Sequence, residues 1–146
     1  MNYIDKYEDI NVNINIIFSL INNVGEYKNF LPWCSESSVL VHKKNKMIAE
    51  IEISKNFLKW KFKTENNYKK NLQINIELIE GPFSHLKGNW IFKKIDSNNT
   101  QVKLYLEYKF DNKIIEVSLK PIFSSIMSSI LDSFISEAFK LKNELP

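Results

Sequence analysis

The chain has 146 residues, of which 44% are hydrophobic, 25% charged and 13% aromatic, the balance of one folded domain rather than a disordered tail. Its single cysteine, Cys34, excludes an internal disulfide and a multi-thiolate metal centre. Net charge is +3, from 20 lysines against 17 acidic residues with no arginine, so bidentate guanidinium reading of bases is unavailable and sequence-specific DNA binding is not expected.

In chain order, residues 2–10 predict a strand. Asn11 or Asn13 can cap a short helix carrying Ile14, Ile17, Phe18 and Ile21, which Gly25 ends. GEYKNFL predicts a second short helix stopped by Pro32. Residues 37–110 then alternate. Ala49, Ile51 and Ile53 oppose Glu50 and Glu52, and Leu58, Trp60 and Phe62 oppose Lys59, Lys61 and Lys63. Leu72, Ile74, Ile76 and Leu78 form another such face, as do Val102, Leu104, Leu106, Tyr108 and Phe110. Period two with one polar face marks antiparallel strands wetted on one side. Short separators at Lys44-Asn45, Asn66 to Lys70 and Ser97 to Asn99 predict hairpins.

A long helix should close the chain from about Pro121 to Asn143, with a lead-in from Asn112; Pro121 marks a start or a kink. Leu119, Phe123, Met127, Ile130, Phe134 and Ala138 belong to an apolar stripe covering about half its circumference, wider than a surface helix needs. Such a helix must lie in something concave, and the curved sheet is the candidate. The expected architecture is α+β: a strand, two short helices, a six-strand meander and one long helix, in a single domain over residues 1–146.

Catalytic patterns are sparse. His42 and His85 lack metal-ligand spacing, Cys34 lacks a partner base, and three glycines leave no phosphate loop or nucleophile elbow. Glu137 falls in the apolar sector of the last helix, near its solvent-reaching end. A non-enzymatic binding role is therefore expected, with no catalytic and no metal-binding residue. The aromatics instead suggest an apolar cavity between sheet and helix, walled by Leu58, Trp60, Ile74, Ile76, Trp90, Leu104, Leu106, Met127 and Phe134. Gly88 invites a bend or a close ligand approach on the Trp90 face. Lys59, Lys61 and Lys63 are the best candidate for a basic contact row, although such a row more often guards a sheet face. No run reaches the roughly 20 apolar residues of a membrane span, and no signal peptide opens the chain, so a cytoplasmic protein is expected.

FLPWC at 30–34 after Tyr27, EGPFSHLKGNWIF at 80–92 and LEYKFDNKII at 106–115 make the sequence similar to the family of ribosome-association toxins and mitochondrial coenzyme-Q-binding proteins. That family lies in the START-like helix-grip superfamily, and the resemblance runs nearly end to end, through Ala138-Phe139. It implies two roles. One is binding ubiquinone or a similar polyprenyl quinone or lipid in the cavity in support of respiration, with no cofactor required and peripheral placement at the inner membrane. The quinone ring would lie near Trp33, whose indole or adjoining backbone offers donors. The other is a toxin of a type II toxin–antitoxin pair that binds the large ribosomal subunit, with a cognate antitoxin as further partner. The lack of arginine departs from relatives that are basic before the last helix.

Overall fold

The computed structural model describes residues 1–144. Strand β1 (Asn2–Ile10) is followed by helix α1 (Ile14–Asn22) and a 3-10 turn (Val24–Asn29). Six strands come next: β2 (Cys34–Lys43), β3 (Lys46–Lys55), β4 (Leu58–Lys69), β5 (Gln73–Glu80), β6 (Phe83–Asp96) and β7 (Asn99–Phe110). Helix α2 (Lys113–Glu144) closes the chain. The sheet has the order β1-β7-β6-β5-β4-β3-β2. All its pairs are antiparallel, so six strands meander and β1 closes on β7.

Register shifts at Cys34/Glu36, Val39/Val41, Lys63/Thr64 and Phe83/His85 bend the sheet, as extra residues in one strand of a pair do. Gly88 contributes a close approach: a Cβ there would lie 2.1 Å from the Tyr105 carbonyl oxygen and 2.9 Å from Leu106 Cα, so no side chain fits between β6 and β7. The concave face receives α2. At 1.5 Å per residue, its 32 residues span about 48 Å, long enough to run the length of the sheet.

Both ends of α2 are fixed. Asn112 Oδ1 accepts from the Ile115 amide at 2.9 Å, and Phe123 meets Phe83 and Tyr108 with ring centroids 5.2 and 4.8 Å apart. At the other end Lys142 Nζ donates to the Asn11 carbonyl at 2.9 Å. Between them Leu119, Phe123, Ile126, Met127, Ile130, Leu131, Phe134 and Ala138 are buried. By length and composition α2 could cross a membrane, but this stripe is the core of the domain.

Several boundaries differ from those read in the sequence. The last helix starts at Lys113, and Pro121 stands inside it, where the tertiary packing of a long apolar face outweighs one missing amide. Asn13 is the cap of α1, accepting from the Asn15 amide at 2.8 Å. Asn23 rather than Gly25 ends α1, and Gly25 belongs to the 3-10 turn. Strand β4 continues through Asn66 to Lys69, and Leu72 falls in the following turn with 58% of its surface exposed. Asn56 and Asn71, at φ 57° and 62°, take left-handed turn positions that suit asparagine.

Candidate functional site

Where α2 crosses the middle of the sheet the packing leaves a cavity of about 110 Å³. Its floor alternates in from five strands: Ala49 and Ile51 of β3, Phe62, Thr64 and Asn66 of β4, Ile76 of β5, Leu86 and Trp90 of β6, and Leu104 and Leu106 of β7. Met127, Ile130 and Phe134 of α2 cover one side, and Val24, Tyr27 and Trp33 close the other. Phe134 is the hub of the aromatic wall, with Trp90, Tyr27 and Phe30 rings around it at 5.6, 5.2 and 5.8 Å.

The roof is tied down by polar contacts. Ser37, 2% exposed, accepts from the Lys28 amide and donates to the Gly25 carbonyl, both at 3.1 Å, pinning the 3-10 turn to β2. The Tyr27 hydroxyl donates to the Ile21 carbonyl, and burial pushes its phenol well above the ordinary tyrosine range. Among the described residues Tyr27 is the sole titratable side chain lining the cavity, and it is held neutral.

Three further polar groups border the space. Thr64 donates to Asn66 Oδ1 at 2.8 Å, and both residues are buried. The Trp33 indole nitrogen is buried with no hydrogen-bond partner among the described residues. An unpaired buried donor carries a desolvation penalty of roughly 1–3 kcal/mol, which an acceptor placed against it would remove. Trp33 also lines an outer groove of about 280 Å³ with Ser54, Lys55, Ile122, Ser125 and Ile126, so its indole stands between cavity and surface.

The structure brings seven residues expected in the walls to this cavity: Trp33, Ile76, Trp90, Leu104, Leu106, Met127 and Phe134. Three lie elsewhere. Leu58 sits at the β3–β4 turn, 46% exposed, because the sheet's concave cover ends before it. Trp60 packs half-buried against the core without reaching the cavity. Ile74 is sealed within the core, paired between Tyr68 and Trp90. Thr64 and Asn66 were legible as the continuation of the Trp60, Phe62 parity, but Asn66 reads as a turn residue by type. Val24 and Tyr27 carry no strand parity to reveal them.

The outward lysine row is not a contiguous positive surface. Lys61 lies 3.7 Å from Glu36 and 4.0 Å from Glu50, and Lys63 lies 3.2 Å from Glu80. Lys59 stands exposed at the row's end, opposite Ser54. Acidic residues of β2, β3 and β5 thus interleave with the row, the usual balance of a solvated sheet face. Cys34 is buried, its thiol pushed up by desolvation and donating to the Glu36 carbonyl at 3.2 Å. His85 meets Glu107 at 3.0 Å, and Tyr105 donates to the same carboxylate at 2.8 Å. This cluster projects on the opposite face from the cavity walls Leu104 and Leu106. Glu137 lies half-buried in a groove between α1, the 3-10 turn and α2, apart from the cavity.

A curved antiparallel sheet gripping a long helix over an apolar cavity defines the START-like helix-grip class. The chain belongs to the family described as polyketide cyclase / dehydrase and lipid transport, matched over residues 10–135. It is 34% identical over 128 residues to the ribosome association toxin RatA of Vibrio cholerae, covering 88% of this chain and 89% of that protein. It is 30% identical over 125 residues to a mitochondrial coenzyme Q-binding protein of Dictyostelium discoideum, covering 83% of this chain and 61% of that protein. Among solved structures, the ZhuI aromatase/cyclase of Streptomyces superposes with a TM-score of 0.84 at 12% identity, covering 95% and 94% of the two chains, a likeness of fold.

Proposed function

We propose that this protein is a non-enzymatic carrier of an apolar ring-and-chain molecule, a polyprenyl quinone such as ubiquinone being the chemistry that fits best. The observation that carries this reading is the unpartnered Trp33 indole N–H at the edge of an otherwise apolar cavity. A quinone carbonyl would accept from that indole, and each buried CH₂ of the isoprenoid tail would contribute about 0.8 kcal/mol. With Tyr27 locked neutral and no other titratable side chain at the wall among the described residues, the site supports binding rather than acid–base chemistry.

Size sets the manner of binding. A dry cavity of about 150 Å³ admits benzene, so about 110 Å³ holds at most a ring-sized piece of the ligand. The rest would follow the groove beyond Trp33, whose side chain lines both spaces. The test is organic-solvent extraction of purified protein, together with titration of a short-chain quinone against tryptophan fluorescence. Absence of extracted lipid and of any quenching would overturn the reading.

A second reading, association with the large ribosomal subunit, is supported by a different surface. The tips of the β2–β3, β4–β5 and β6–β7 hairpins lie at one end of the sheet and expose Lys43, Lys44, Lys69, Lys70, Lys93 and Lys94. Such a cluster suits RNA phosphates better than the balanced row at Lys59, Lys61 and Lys63, and its binding would weaken steeply with salt. Co-sedimentation with isolated large subunits at low and high salt tests it, with a Lys69→Glu, Lys70→Glu variant expected to stay in the supernatant.

A further inference from the structure

The opposite end of the sheet presents another surface. Phe57, at the tip of the β3–β4 hairpin, is 101% exposed, as fully as in an extended peptide. Leu58 beside it is 46% exposed. The first turns of α2 start at the same end, where Asp111 N–H donates to the Pro82 carbonyl of the β5–β6 turn at 3.0 Å. There Ile114 and Val117, three residues apart on one helix face, are 82% and 67% exposed. Phe57 and Ile114 are the two most exposed large apolar side chains among the described residues, and both stand at this one end.

The charge around these residues selects the partner. Lys55 and Lys59 flank the hairpin tip and are exposed, as are Lys113 and Lys120 around the helix turns. The acids near them are Asp111 and Glu116, the latter 3.5 Å from Lys113, while Glu80 is held by Lys63. Apolar tips inside a lysine ring match an anionic lipid surface: rings and aliphatic groups enter the acyl boundary while ammonium groups stay at the headgroups. A protein partner binding the same residues would need a packed pocket for each of two separate protrusions. A bilayer needs no such pocket.

Lys55 and Ser54 form one wall of the groove outside Trp33, and Ile122 and Ser125 of α2 form the other. Phe57 follows two residues after Lys55, and Ile114 lies eight residues before Ile122, about 12 Å along the helix. We infer that this end of the domain, led by Phe57, Ile114 and Val117 and ringed by Lys55, Lys59, Lys113 and Lys120, docks on anionic phospholipid bilayers and brings the Trp33 groove to the membrane. The delivery role rests on the carrier reading above. The docking surface stands on its own exposure and charge.

Flotation of the full chain with phosphatidylcholine vesicles, with and without phosphatidylglycerol, tests it. The protein should float with the anionic vesicles and stay behind with the neutral ones. A Phe57→Ser, Ile114→Ser variant should lose about tenfold or more in partitioning, since burial of one phenylalanine alone carries that much. Lys55→Gln with Lys59→Gln should cost about fivefold per lysine at low salt and less at high salt. Quenching by a short-chain quinone should be unchanged in the Phe57→Ser, Ile114→Ser variant, which separates failure of docking from failure of ligand binding. Equal flotation of parent and Phe57→Ser, Ile114→Ser protein, or none for the parent, overturns the inference. So does a dimer in sedimentation equilibrium that the serine variant dissolves, because the surface would then serve self-association.

Discussion

Lys6 of β1 reaches the middle of α2, where its ammonium donates to the Met127 carbonyl at 2.9 Å and to that of Ser128 at 3.0 Å. A strand at the sheet's edge thereby holds the turn of the helix from which Met127 covers part of the cavity. Hydrogen bonds from a charged donor contribute about 1.5–3 kcal/mol where shielded. Lys6 is half-exposed, so Lys6→Met should cost only about 1 kcal/mol in urea unfolding. The same change should speed release of a cavity-bound fluorescent apolar probe. An unchanged release rate would show that Lys6 does not hold this part of the helix.

Filling the cavity should separate binding from folding. Ile130→Trp or Met127→Trp places a larger ring in a space of about 110 Å³. Overpacking typically costs 1–3 kcal/mol, about a few kcal/mol at worst and partly offset here by the void already present. We expect a folded protein by circular dichroism, with quinone and lipid absent from its solvent extract.

Trp33→Phe should weaken short-chain quinone binding by about tenfold, the worth of one hydrogen bond near 1.4 kcal/mol. Thermal stability should hold or rise, because the lost indole N–H has no partner among the described residues. By contrast Tyr27→Phe removes a donor already committed to the Ile21 carbonyl. It should cost about 1 kcal/mol of stability and leave quinone affinity nearly unchanged.

The acid limb of stability should carry a mark of Glu107. Hydrogen bonds from His85, then from Tyr105, hold its carboxyl below the ordinary glutamate range. A carboxyl with a lower pKa in the folded than in the unfolded state stabilises above its unfolded value, about 4.3, and loses that contribution as pH falls through the folded value. Melting curves from pH 7 down to about 3 should therefore fall less steeply for Glu107→Gln than for the parent below about pH 4.3. Parallel curves would deny Glu107 this role.

Parity carried most of the fold into the sequence. Trp90, Leu104 and Leu106 face inward because every second strand residue must. The misplacements fall where parity stops being informative. Leu58 and Leu72 keep the inward parity but lie at hairpin turns, beyond the helix that would cover them. Asn66 is turn-like by type yet occupies the cavity floor, where its amide oxygen serves Thr64. Pro121 is a helix starter by type, yet Asn112 caps the helix earlier and packing carries it past the proline. The lysine row is legible as a row, but its carboxylate partners come from β2, β3 and β5, which only the strand register brings beside it.

The lone thiol turns the cavity's edge into a clock. Cys34 directly follows Trp33, is 4% exposed and is held protonated by burial, so a thiol reagent reaches it only when the turn opens. At low reagent concentration the labelling rate reports the fraction of time this segment is open, and at high concentration it saturates at the opening rate itself. Since the chain has no second cysteine to confuse the signal, unmodified protein suffices. Anything that seats against Trp33 should slow that clock in proportion to its occupancy.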